Sequence, residues 1–212
     1  MMIKLSGYKM RVTPTQVLFW GGPPSQWWKS GFEGHLPVIV EKDGRRSIRK
    51  DDELRKFSSA EKYMMMAKAS VFGDPAQLYN MELTDDVKKV KAYGRQVRGF
   101  DQEIWDAVSI PIVTIGTYYK TTQNDDMWEF ANEMGDREYV EGSPVDRIWG
   151  VGLSWDDPKI EDRANWLGEN RLGRCWNNNW DMITTFGREA DPFAAYAQLM
   201  RLRAESRNDL KV

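Results

Sequence analysis

A carboxylate in a helix-like stretch (Glu61), a lysine near a helix end (Lys120) and an acidic residue beside an arginine (Asp146-Arg147) are of residue types that can do chemistry. A fixed carboxylate can serve as a general base or steady a developing positive charge. A lysine amine becomes a nucleophile when burial lowers its pKa from about 10.4. Each also has an ordinary reading. Glu61 lies within Phe57–Gly73, where Ser58 reads as an N-cap and Glu61, three residues on, as the capping-box carboxylate reaching back to it. Ala60, Tyr63, Met64, Ala67 and Val71 make the apolar stripe, and Gly73 the stop. On local pattern alone Glu61 is a cap and Lys120 a surface cation. Asp146 and Arg147 read as a surface ion pair or, between an apolar strand and a glycine turn, as a pocket rim. Gly150-x-Gly152 reads as a turn, since a lone Gly-x-Gly says little about phosphate.

The rest of the composition narrows the chemistry. His35 is the only histidine and Cys175 the only cysteine, so no zinc spacing and no zinc-deaminase signature exists. A lone cysteine cannot form an internal disulfide and suits a reducing compartment. With no apolar run of membrane-span length and no signal-peptide core at the start, a cytoplasmic protein is expected. Net charge is −2 with 29% charged residues, so the surface as a whole is not built for nucleic acid. Lys88, Lys89, Lys91, Arg95 and Arg98 form the densest basic run, read as a solvated helix face or as the place where phosphates would be met. Ten tryptophans can fill a core or stack on bases. Length predicts one domain with a sizeable core.

The elements that must position these residues follow from pattern. Gln16–Trp20 reads as strand-like, and Gly21-Gly22-Pro23-Pro24 forces a shaped loop before Ser25-Gln26-Trp27-Trp28. Leu36–Val40 is a strand, Lys42-Asp43-Gly44-Arg45 a hairpin turn, Arg46–Arg49 its partner, and residues 51–56 a charged link. His35 is placed in a loop. Asp74-Pro75 opens a short helix and Thr84-Asp85-Asp86 another. Asp101–Val108 is helical, with Pro111 breaking or restarting the helix and Ser109 as a cap. Ile112–Asn124 is β-branched enough to suggest a strand by propensity. Asn124 caps Asp125–Met134, which Gly135 ends. Arg137–Glu141 is a short strand, and Pro192–Arg203 an amphipathic helix with Phe193, Tyr196, Leu199 and Met200 on one side.

Ser59-Ala60-Glu61-Lys62-Tyr63-Met64-Met65-Met66-Ala67-Lys68-Ala69 with Phe72-Gly73-Asp74 resembles the central helix of the NADAR/YbiA-like family. Trp20-Gly21-Gly22-Pro23 with Ser25-Gln26-Trp27, Tyr93-Gly94-Arg95, Lys120-x-x-Gln123-Asn124, Glu141–Gly152 and Asn165–Gly173 resemble its other blocks in order, from about residue 17 to 180. The chain departs at Arg174–Trp180, where the family continues with an apolar pair, and residues beyond about 187 have no counterpart. The resemblance implies an α+β, predominantly α-helical YbiA-like domain with a small β-hairpin, over 1–187. Residues 188–212 are then a C-terminal helical extension packed on it. It makes Ile112–Asn124 a helix. It implies an N-glycosidase without cofactor or metal, acting at ribose C1 through a cationic, oxocarbenium-like state. Glu61, Lys120 and Asp146 become its catalytic candidates, with Lys120 as amine nucleophile or phosphate ligand. Trp20, Gly22, Gln26, Trp27, Tyr63, Lys68, Asn124, Arg147, Trp149 and Asn170 become substrate contacts. The expected substrate is ADP-ribose on guanine, in DNA or nucleotides. The alternatives are ribosylamino-pyrimidine intermediates of riboflavin synthesis, or a module that binds ADP-ribose without turnover. No membrane partner is implied, and the oligomeric state is open.

Overall fold

The computed structural model describes residues 7–209. Among the described residues, two sheets and seven α-helices make an α+β fold in which helix predominates. Strands β1 (Met10–Val12), β2 (Gln16–Phe19) and β5 (Glu138–Glu141) form one small sheet, with β2 in the middle. β2 is antiparallel to β1 and parallel to β5, pairing Gln16 with Glu138 and Phe19 with Glu141. A parallel pair needs a long crossover. Here it holds β3 (Lys29–Lys42), β4 (Arg45–Ser59) and helices α1 (Ala60–Val71), α2 (Pro75–Glu82), α3 (Val87–Arg95), α4 (Gln102–Thr122) and α5 (Asp125–Met134). Helices α6 (Arg171–Phe186) and α7 (Pro192–Asp209) follow. The segments leaving β2 and β5 therefore emerge from the same end of the sheet.

The hairpin is longer than its sequence pattern suggests. Asp43 and Gly44 both take positive φ, as an Asp-Gly turn requires, but the ribbon runs from Lys42↔Arg45 back to Lys29↔Ser59. Residues 51–56 are strand, not link, and His35 is in β3, not a loop. A charged strand has no apolar alternation to betray it; β3 supplies the backbone pairing, and Arg55 pairs with Asp51, Glu53 and Glu82 on the surface.

Because β4 continues to Ser59, α1 starts one residue later than expected. Ser59, not Ser58, is the N-cap, accepting from the Lys62 N–H at 3.2 Å. Glu61 is therefore the second helical residue and makes no capping box. Burial on α1 also exceeds the expected stripe: Glu61, Lys62, Met65, Met66 and Ala69 are covered as well, because the hairpin, α2, α3 and α4 all pack on this helix.

Pro111 neither breaks nor restarts α4, and Ser109 caps nothing; it is buried in the middle of the helix. The β-branched run that follows is helical because it is enclosed on every side, where packing outweighs propensity. Thr117, Thr121 and Thr122 each return their hydroxyl to the carbonyl four residues back, at 2.8 Å. At Gly116 a Cβ would lie 2.5 Å from the Tyr63 ring, so glycine is what lets α1 and α4 approach.

Asn124 occupies the N-cap of α5 without a side-chain capping bond; its amide instead donates to the Gly31 and Lys120 carbonyls. The principal core joins the hairpin base, α1, α4 and α6, with an aromatic cluster of Phe32, Phe57, Tyr63 and Tyr119. No helix among the described residues is long and apolar enough to cross a membrane.

Candidate active site

Where β2 and β5 end together, their loops and the faces of α1, α3, α4 and α6 enclose a cavity of about 430 Å³. The β2 loop contributes Gln26 and Trp27, α1 contributes Glu61, Met64 and Lys68, and α3 contributes Lys91 and Arg95. Phe100 and Trp105 close the α4 side, Glu141 stands at the end of β5, and Asp146 and Trp149 come from the loop beyond. Arg171 completes the wall from α6.

Glu61 is only 2% exposed. Its N–H donates to the Gln26 carbonyl at 2.9 Å, tying the helix start to the Gly-Pro loop. The carboxylate lies 3.9 Å from the Lys91 ammonium, and its Oε1 has no hydrogen-bond partner. Burial pushes its pKa up; Lys91, a hydrogen bond from the Trp27 side chain and Arg95 pull the other way, while Asp146 adds to the rise. Gln26 likewise has a buried, unpartnered Oε1.

Lys68 stands two helical turns beyond Glu61 on the same face. Its ammonium sits 3.9 Å over the Phe100 ring and 5.7 Å from that of Trp105, and among the described residues it has no carboxylate partner. Burial lowers its pKa. Asp146 turns its Oδ1 onto the Ile148 and Trp149 N–H groups, at 2.9 and 2.8 Å, which shapes its own loop. Arg171 is held by Asp106 at 2.5 Å and Glu169 at 2.8 Å.

Thus Glu61, Asp146, Gln26, Trp27, Lys68 and Trp149 converge on one cavity. Other expected contacts lie elsewhere. Lys120, 1% exposed, sits behind the loop, with Nζ donating to the Pro23 carbonyl at 2.6 Å and the Ser25 carbonyl at 3.0 Å. Burial brings its pKa down to about 7. Tyr63 is in the aromatic cluster, its hydroxyl donating to the His35 carbonyl. Trp20 is exposed under the Lys9 ammonium. Gly22 takes φ +69 and gives the loop its turn. Arg147 is exposed outside the cavity, and Asn124 joins the start of α5 to the hairpin. Asn170, in a left-handed conformation, donates to the Tyr139 carbonyl and accepts from the Glu141 N–H.

Glu141, Phe100, Trp105 and Arg171 were not marked by the sequence. For Glu141 the available signal was its place at the head of the family-like block Glu141–Gly152, and for Arg171 its place within Asn165–Gly173. Lys91 and Arg95 belonged to the basic run, whose i, i+4 spacing puts both on one helix face.

Aromatic walls, a buried carboxylate with two half-buried ones beside it, and cations at the ends of parallel strands define an enzyme site on an α+β fold. The chain belongs to the NADAR family, whose domain matches residues 19–181. It is 35% identical over 150 residues to N-glycosidase R617 of Acanthamoeba polyphaga mimivirus, covering 71% of this chain and 81% of that protein. It is 31% identical over 151 residues to Protein irg-1 of Caenorhabditis elegans, covering 70% and 69%. The NMR structure of the E. coli protein YbiA superposes with a TM-score of 0.59 at 16% identity, over 90% of this chain and 98% of that one, and so shares the fold.

Proposed function

We propose that this NADAR-family N-glycosidase releases ADP-ribose from guanine, in DNA or in nucleotides, by cleaving the bond between ribose C1 and the base nitrogen. The general activity follows from the family and from the relative named N-glycosidase. One observation carries the mechanism: Glu61 is a buried carboxylate that lines the cavity and has an oxygen without a hydrogen-bond partner. Such a fixed charge stabilises the cationic C1 of an oxocarbenium-like state, as carboxylates do in O-glycoside cleavage. The rings of Trp27 and Trp149 supply flat surfaces for a base, and Lys91 and Arg95 supply cations for a diphosphate. These features favour ADP-ribosyl-guanine over a small ribosylamine. Lys88 and Lys89 lie exposed on the same helix, which supports a nucleic-acid form of the substrate.

The amine that geometry favours is Lys68 rather than Lys120, because Lys68 lines the cavity while Lys120 is engaged by two loop carbonyls. In that route the Lys68 nitrogen bonds to C1 as the bond to the base breaks, its electron pair leaving with the base nitrogen, which takes up a proton. Loss of the lysine proton and opening of the ribose ring give an imine. Water then hydrolyses it to free lysine and ADP-ribose. Cytoplasm is the setting we assign, where the buried free thiol of Cys175 stays reduced.

The test is mass-spectrometric product analysis with an ADP-ribosylated guanine oligonucleotide. Wild type should yield unmodified oligonucleotide and ADP-ribose, and Glu61→Gln should be slower by about 10²-fold or more. Equal rates would remove Glu61 from the mechanism. Turnover of ribosylamino-pyrimidines alone would replace the substrate, and tight binding of intact ADP-ribose without turnover of either would replace the activity.

A further inference from the structure

Glu141 lines the cavity but has no part in the chemistry above. Its main chain is pinned on both sides: the N–H donates to Asn170 Oδ1 at 3.0 Å, and the carbonyl accepts from the Ser143 and Val151 N–H groups, each at 3.0 Å. The surroundings leave that backbone no slack. A Cβ on Gly142 would come within 2.3 Å of Trp155 Cα, and one on Gly150 within 2.8 Å of the Glu141 carbonyl oxygen. Asn170 itself is locked by α6, since a Cβ on Gly173 would meet the Tyr139 carbonyl at 2.0 Å and the Asn170 amide at 2.4 Å.

With the backbone held, the carboxyl is the part of Glu141 left to act. Its Oε2 is buried and has no hydrogen-bond partner. A buried carboxyl oxygen without donors is poorly placed to carry charge, whereas a protonated carboxyl can give a hydrogen bond or a proton. The charged groups facing it are Asp146 from the following loop, Glu61 from α1 and Lys91 from α3. Arg171 of α6 shares the cavity but is committed to Glu169 and Asp106. Two anions thus oppose ionisation and one lysine favours it. Burial, then Asp146, then Glu61 push the pKa up to about 8. Asp146 is the weaker candidate for a proton donor, its Oδ1 being occupied by two backbone N–H groups.

Resting on the N-glycosidase reading, we propose that Glu141 is the catalytic acid. Its carboxyl proton passes to the base nitrogen as the C1–N bond breaks with its electron pair on that nitrogen. The water that ends as the hydroxyl on C1 returns a proton to the carboxylate. Glu61 is the carboxyl kept anionic beside C1, because it has the Lys91 ammonium at 3.9 Å and a hydrogen bond from the Trp27 side chain on its other oxygen. The two carboxyls thus divide the work, and Asn170 is a positioning residue for Glu141.

Glu141→Gln is compared with wild type on two substrates, ADP-ribosyl-guanine and an ADP-ribosyl 4-nitrophenolate whose leaving group needs no proton. The expected loss is about 10²–10⁴-fold on the guanine substrate and under about tenfold on the nitrophenolate. The wild-type kcat/KM should fall on the alkaline side near pH 8. Equal losses on both substrates, or no loss on guanine, would overturn the proposal while leaving the N-glycosidase reading in place. Wild type that releases neither leaving group overturns the ADP-ribosyl substrate together with the acid role argued on it. Should Glu141→Gln not fold, the carboxyl ¹³C signal of wild type, assigned against Glu141→Asp, decides: protonation at pH 6 with titration near 8 supports the role, and ionisation at pH 6 ends it.

Discussion

Lys68 is half-buried and Lys120 fully buried, and their surroundings set them to different tasks. Lys68 lines the cavity with its ammonium resting on the Phe100 ring. Lys120 has two carbonyl acceptors, which the two N–H bonds of a neutral amine suffice to fill. Borohydride added during turnover should leave a mass adduct on wild type and Lys120→Met but not on Lys68→Ala; an adduct that persists in Lys68→Ala would move the nucleophile elsewhere. Lys120 also leaves a mark on stability. Its pKa is about 7 in the fold and about 10.4 in the unfolded chain. Between those values the unfolded chain binds the extra proton, so stability rises with pH across this window. The contribution is complete above the unfolded pKa and is lost as pH falls through about 7. Denaturant titrations at pH 7 and 9 should show this rise in wild type and a flatter profile in Lys120→Met.

Among the elements, α1 and α4 fix the distance between the site's helical wall and the core. Their approach depends on Gly116, whose missing side chain accommodates the Tyr63 ring. Gly116→Ala should lower stability by about 1–3 kcal/mol in chemical denaturation, since overpacking drives the helices apart. Unchanged stability would mean that the Tyr63 ring moves aside freely. Local signals located many of the boundaries. The Asp43-Gly44 turn, the Asp74-Pro75 helix start and the glycines after α1 and α5 lie where the pattern puts them, because each is decided by backbone conformation within a few residues. The Ser58–Ser59 shift is different. Both serines can cap, and pairing of Ser59 with Lys29 across the hairpin selects the second. That one-residue difference takes Glu61 out of the capping box that the local pattern alone assigned to it.

At the scale of the molecule, α7 packs on α4, α6 and β4, burying Ala195 and Leu199 against Tyr118, Met182 and Ile183. Leu199→Asp would place an unpaired charge there and should cost about 3–5 kcal/mol. Activity of the folded enzyme at low temperature should stay within about twofold, because this cluster does not reach the cavity; a collapse in kcat/KM without loss of melting temperature would contradict that arrangement. The sequence by itself determined the helix-rich α+β class, the hairpin turn and the amphipathic face of α7, and through family resemblance it named Glu61, Gln26, Trp27, Lys68, Asp146 and Trp149 as site candidates. Only the tertiary structure decided that Lys120 stands behind the loop, that Asn170 serves β5, and that Glu141 joins Glu61. The reason is the parallel pairing of Phe19 with Glu141. It brings together chain segments separated by the whole crossover, and no local propensity encodes which two strand ends will meet.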